Sequence, residues 1–241
     1  MTTREPERSP GTGGLERAPE GVLLLHGMAR RASSFAPMER ACREAGFATL
    51  NLDYPSRVAA LEDLVDVVAP RAAAFAEGTR ALHVVTHSMG GLLARAWLRA
   101  HRPARLGRVV MLGPPNGGSE IADRLHTLWA YRRFFGPAGA QLTTRRDDGL
   151  RALLGRVDYP LGIIAGDRSL YPLESWLMLP GANDGRVTVQ RTRVCGMTDH
   201  VTLHASHGLM MRNPRVIDET LRFLRTGAFS RPGAGNARRR A

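Results

Sequence analysis

Along most of this chain, short apolar runs closed by glycine or proline alternate with stretches of helical spacing. The runs cover residues 21–25, 47–52, 82–86, 108–112 and 161–165. Runs that are apolar throughout read as strands buried on both faces. Strands that alternate with helices call for a parallel sheet covered on both sides. Helices are predicted over residues 34–45, 58–76, 90–101 and 214–226. The second is expected to start at a Ser56 cap and carries Pro70 inside it; the last shows the apolar spacing Val216, Ile217, Leu221, Phe223, Leu224. Residues 191–194 read as one more short strand. Between residues 119 and 159 the alternation weakens, and helical pieces near 121–131 and 149–154 predict a small helical insertion, a cap or lid of modest size.

A chain of 241 residues supports one core and leaves little room for a second. The expected organisation is a flexible start over 1–20, a single α/β domain over 21–227 and a basic disordered tail over 228–241. The first twenty residues mix arginine with glutamate and lack the apolar stretch of a signal peptide, and no apolar run approaches the roughly 20 residues of a membrane span. A cytoplasmic location is therefore expected.

The net charge of +12 raises nucleic acid as a partner, but the distribution argues against it. All 34 basic residues are arginine, and outside the tail they are interspersed with Asp and Glu along the predicted helices, as on solvated helix faces. Only the end, with Arg231 and Arg238 to Arg240, is basic and free of acids. Weak contact with anionic membrane is the one role its composition suggests. Cys42 and Cys195 lie far apart with no paired metal-ligand spacing, so they are expected to be free, partly buried thiols.

Chemistry concentrates in the stretch Leu-His-Val-Val-Thr-His-Ser-Met-Gly-Gly-Leu-Leu from Leu82. An apolar strand enters a tight turn with Ser88 at its apex, and a helix begins at once on two glycines. Such a turn pushes the serine into the open, while Gly90 and Gly91 let the helix approach the strand closely. Thr86, His87, Ser88, Met89 and Gly90 resemble the nucleophile elbow of α/β-hydrolases, with Thr86 where the first glycine usually stands. His26-Gly27-Met28, after the first strand, resembles an oxyanion-hole loop. Gly113-Pro114-Pro115-Asn116-Gly117-Gly118-Ser119 and Ala182-Asn183-Asp184-Gly185-Arg186-Val187 are similar to segments of bacterial triacylglycerol lipases and GPI-inositol deacylase-like hydrolases. The resemblance runs with gaps from about Val22 to Leu224.

That resemblance implies an α/β-hydrolase fold, a mostly parallel sheet with helices on both faces, and an esterase or small lipase that needs no cofactor or metal. It implies Ser88 as nucleophile, the amides of Met28 and Met89 as oxyanion donors, and His207 as base, since His207 precedes the last helix whereas His200 and His204 lie in a segment that reads as extended. The side chain of His26 reads as structural. It implies Asp184, in the Asn-Asp-Gly turn, as the acid of the triad, with Asp167, after the strand over residues 161–165, as the alternative. An acyltransferase or thioesterase would use the same residues, and a non-catalytic hydrolase-like binding protein would share the fold. The partner expected is a small-molecule or lipid ester.

Overall fold

The computed structural model describes residues 17–230. Six strands, β1 (Gly21–Leu25), β2 (Ala48–Leu52), β3 (Leu82–His87), β4 (Leu106–Leu112), β5 (Leu161–Gly166) and β6 (Asp199–Leu203), pair in parallel in the order β2-β1-β3-β4-β5-β6. Chain direction across the sheet reverses at β1, which has β2 on one side and β3 on the other. Ligands of open α/β sheets bind beyond the carboxyl ends of the strands at such a reversal. The loops after β1 and β3 meet there.

Side chains of β1 alternate between two cores. Leu23 and Leu25 join Val84, Val109, Met111 and Ile163 beneath the helices α2 (Leu61–Glu77) and α3 (Met89–Ala100). Val22 and Leu24 join Val85, Val110, Leu112 and Ile164 beneath α1 (Ala36–Glu44) and α9 (Pro214–Thr226). Both faces of the central strands are thus dry, which explains why they carry consecutive apolar residues, such as Val22–Leu25 in β1, Val84 and Val85 in β3 and Val109–Leu112 in β4, rather than alternating ones.

The insertion carries three helices, α4 (Glu120–Leu125), α5 (Trp129–Ala140) and α6 (Asp148–Leu154). Gly136, at φ +64°, breaks α5 ahead of Pro137, and a Cβ there would lie 1.8 Å from the Arg57 carbonyl oxygen. Two further helices, α7 (Pro172–Met178) and α8 (Val189–Thr192), lie in the connection from β5 to β6.

Several expectations are corrected. Residues 191–194 contribute no strand: the Thr188 hydroxyl accepts the Arg191 N–H at 3.2 Å and caps α8 instead. Ser56 is not a helix cap, because α2 begins at Leu61 and the Asp63 carboxylate accepts the Ala60 N–H at 3.2 Å. Ser56 is buried and accepts the Ala29 N–H at 3.2 Å, pinning the loop after β1. Packing also continues beyond residue 227, into the span expected to be tail. Phe229 is buried against Phe223, and its N–H donates to Asp199 at 2.9 Å. Most of the expected flexible start and all of the arginine-rich end fall outside the described residues. Cys42 is buried and Cys195 exposed, both unpaired. Among the described residues no helix is long and apolar enough to cross a membrane.

Candidate active site

Ser88 sits between β3 and α3 at φ +55° and ψ −126°, a backbone state that costs a non-glycine residue on the order of 1–3 kcal/mol. Its amide still donates to the Leu112 carbonyl at 2.9 Å, so the sheet holds the turn from below. Gly90 allows the sharp entry into the helix: a Cβ there would lie 2.4 Å from the Leu25 carbonyl oxygen and 2.6 Å from that of His26. Thr86, unusual at the first position of such a turn, is fully buried, and a Cβ at Gly91 would press on Pro114 at 3.0 Å and Met111 at 3.2 Å.

His207 comes from the loop that opens the 3₁₀ turn His207–Arg212, just before α9. Its Nε2 is 2.9 Å from Ser88 Oγ, and its Nδ1 is 2.7 Å from Asp184 Oδ2. The Asp184 side chain is fully shielded from solvent. It is not isolated, because Oδ1 accepts the N–H groups of Arg186 at 2.9 Å and Val187 at 2.8 Å. The Asn-Asp-Gly turn is itself fixed by Asn183, which accepts the Gly185 N–H and donates to the Gly181 carbonyl. A carboxylate held by two backbone donors keeps one oxygen free to orient the imidazole.

The structure does not bring Asp167 to this chain of hydrogen bonds. Its carboxylate pairs at the surface with His204 Nδ1 at 3.1 Å, and both side chains are exposed. His200 faces Thr192, with Nε2 3.0 Å from its hydroxyl.

Met89 directly follows Ser88, and Met28 lines the cavity beside it. Met89 opens α3, so its N–H has no acceptor one turn back. In the loop after β1 the amides of Ala29 and Arg30 are engaged by Ser56 and by the Gly27 carbonyl, and Met28 lines the cavity at Ser88. The loop is braced by His26, whose buried ring stacks on Tyr54 at 4.0 Å and whose Nδ1 lies 2.9 Å from the Gly27 oxygen. The Tyr54 hydroxyl donates to the His26 carbonyl. Burial lowers the His26 pKa below the ordinary histidine range.

The sequence assigns His87 no role. It is buried beneath His207, with ring centroids 4.7 Å apart, and its Nε2 lies 2.8 Å from the His207 carbonyl oxygen. Burial first, and the neighbouring His207 second, hold its pKa well below the usual value. It is therefore neutral, and Nε2–H donates to that carbonyl, fixing the His207 main chain from below. Spacing alone does not reveal this pairing, because the partner lies 120 residues away.

A cavity of about 290 Å³ opens over Ser88 and His207. Its far wall is apolar and comes from the insertion: Ile121, Leu125, Tyr131, Phe135 and Leu142. Arg30 and Arg186 stand at its polar side.

Comparison with known proteins agrees with this architecture. A triacylglycerol lipase of Pseudomonas fragi is 35% identical over 83 residues, a match spanning 34% of this chain and 28% of the lipase. The mature form of a Bacillus licheniformis lipase superposes with a TM-score of 0.72 at 21% identity, covering 91% of this chain and 96% of that one. A metagenomic carboxyl esterase superposes with a TM-score of 0.64 at 19% identity, covering 85% and 69%. The family model described as the alpha/beta hydrolase family matches residues 22–233, nearly the whole described domain, and the chain belongs to that family.

Proposed function

We propose that the protein is a serine hydrolase that cleaves carboxylic esters through an acyl-enzyme on Ser88. One observation carries the reading: the unbroken chain from Ser88 Oγ through both ring nitrogens of His207 to a buried, doubly anchored Asp184. In this reading His207 Nε2 takes the hydroxyl proton as Ser88 Oγ bonds to the ester carbonyl carbon. Negative charge collects on the carbonyl oxygen, and the N–H groups of Met28 and Met89 receive it. The tetrahedral intermediate collapses, the C–O bond breaks, and His207 returns the proton to the leaving alcohol. Water then repeats the sequence, with His207 as its base, and releases the acid. Asp184 holds the imidazole in the tautomer that presents a lone pair to Ser88 and stabilises the imidazolium.

The apolar wall is where an acyl chain is expected to lie, with the insertion serving as a small cap. At about 290 Å³ the cavity is at the small end for organic ligands, roughly 300–1,000 Å³. Short and medium chains therefore fit better than long ones. The lipase and esterase names of its relatives favour the same chemistry.

A chain-length series of nitrophenyl esters, run beside the matching thioesters, tests the reading. Turnover is expected to peak at short to medium oxygen esters and to fall for long chains. Turnover of thioesters alone points to a thioesterase, and a folded protein that turns over nothing in the series points to a binding protein.

A further inference from the structure

A second cavity, of about 630 Å³, lies between the later part of α3 and the segment from α6 to β5, and shares no lining residue with the cavity at Ser88. Its wall carries five arginines, Arg95, Arg99, Arg102, Arg151 and Arg156, against one carboxylate, Asp158. Arg102 is engaged with Asp158, and Arg151 pairs with Asp148 at 3.1 Å. Arg99 and Arg156 are exposed and form no ion pair among the described residues.

Arg95 separates this cavity from an ordinary basic surface. It is only 7% exposed. Its Nη1 donates to Asn116 Oδ1 at 3.2 Å and its Nη2 to the Gly155 carbonyl at 2.8 Å, while its Nε is buried with no partner. All of these acceptors are neutral, so a guanidinium is held out of water without a counter-charge. Arg146, which donates to the Pro115 carbonyl at 2.6 Å, adds positive charge nearby. Its pKa is pushed down to about 10 by burial and then by Arg95 and Arg191. Buried charges are ordinarily paired or ligated, because an uncompensated one is strongly unfavourable.

We propose that this cavity binds a phosphate-bearing anion, held by Arg99 and Arg156 at its mouth over the buried positive charge of Arg95. Arg95, Arg99 and Arg156 set three positive charges against the one carboxylate of the wall, Asp158, which Arg102 engages and Arg156 also attracts, so the cavity suits a ligand of at least two negative charges, which a phosphomonoester or diphosphate carries and a single carboxylate does not. Guanidinium forks match phosphate oxygens in pairs. The volume exceeds what a bare ion needs, and Leu98 and Tyr159 offer an apolar side for an organic group. The site is independent of the ester chemistry at Ser88.

Calorimetric titration of the whole protein with pyrophosphate and with phenyl phosphate, at fixed ionic strength, tests the proposal, together with sedimentation on phosphatidylcholine vesicles with and without phosphatidic acid. Saturable binding is expected. The double variant Arg99→Gln/Arg156→Gln is expected to weaken it about a hundredfold, near tenfold for each guanidinium removed. Both side chains are exposed, and a thermal melt checks that the variant folds. Soluble phosphates that bind in this manner identify a free organic phosphate as the ligand class. Binding confined to phosphatidic-acid vesicles and abolished in the same variant identifies a lipid headgroup. Binding that the double variant leaves unchanged, or no binding to any of the probes, overturns the proposal.

Discussion

Asp184 and His207 are tied twice: Oδ2 lies 2.7 Å from Nδ1, and the His207 amide donates to the Asp184 carbonyl oxygen at 2.9 Å. Side chain and main chain therefore set the same register between two loops 23 residues apart. Asp184→Asn preserves the shape but can donate toward Nδ1 and favour the wrong tautomer. It is expected to slow ester turnover by about ten-thousand-fold with the fold intact. Asp167→Asn is expected to change it little, because that carboxylate serves only the exposed His204. Steady-state kinetics on both variants, with thermal melts, checks the order, and a reversed order contradicts the assignment of Asp184.

Among the three late histidines only His207 reaches Ser88. His207→Ala is expected to be as damaging as loss of the serine, since groups that act as one unit fail together. His204→Ala and His200→Ala are expected to keep most of the activity. A dead His204→Ala beside an active His207→Ala would contradict the geometry.

Gly113, at φ +54°, passes directly under the Asp–His pair. A Cβ there would lie 2.9 Å from Asp184 Oδ2 and 3.2 Å from His207 Nδ1. Gly113→Ala is expected to displace the pair and lower kcat by about a hundredfold, the scale of an ångström-sized misplacement. An alanine variant with wild-type kcat would show that the pair tolerates the intrusion.

How much of this is legible in the sequence depends on where the burial falls. The strands buried on both faces carry runs of consecutive apolar residues and stand out, as does α9 with its one-sided spacing. The edge strand β6, Asp-His-Val-Thr-Leu, is only half-buried and carries polar residues, so its segment reads as extended but not as a strand of the sheet. In α7, Leu173, Trp176 and Leu177 point into solvent, so that helix carries no inward apolar stripe to detect. Ser88 is marked by local turn chemistry alone. The choice between Asp184 and Asp167 is not local, because both lie in the connection from β5 to β6, Asp167 directly after the strand and Asp184 in a turn further on. Only the folded path of the chain puts one against His207 and the other against His204. His87 is invisible for the same reason.

Acid stability has a stated direction. Burial, and then Arg193, push the pKa of His200 down to about 4, and His87 is depressed by burial and by His207. Both titrate at about 6.5 in an unfolded chain. Groups with depressed folded values contribute their full stability above that pH. His200 loses it as the pH falls from about 6.5 toward about 4, and His87 also loses it below about 6.5, because the unfolded chain takes up protons the folded one refuses. Urea midpoints are expected to fall across this window, and less steeply for His200→Gln. An identical slope in that variant would contradict the burial argument.

The central claim is that Ser88 is the nucleophile. Labelling purified wild type and Ser88→Ala with a fluorophosphonate probe, beside nitrophenyl ester turnover, tests it most directly. The wild type is expected to label at one serine, and Ser88→Ala to lose the label and about a million-fold in turnover where background permits. A wild type that hydrolyses the ester without taking the probe, or a Ser88→Ala variant that keeps label and turnover, would contradict it.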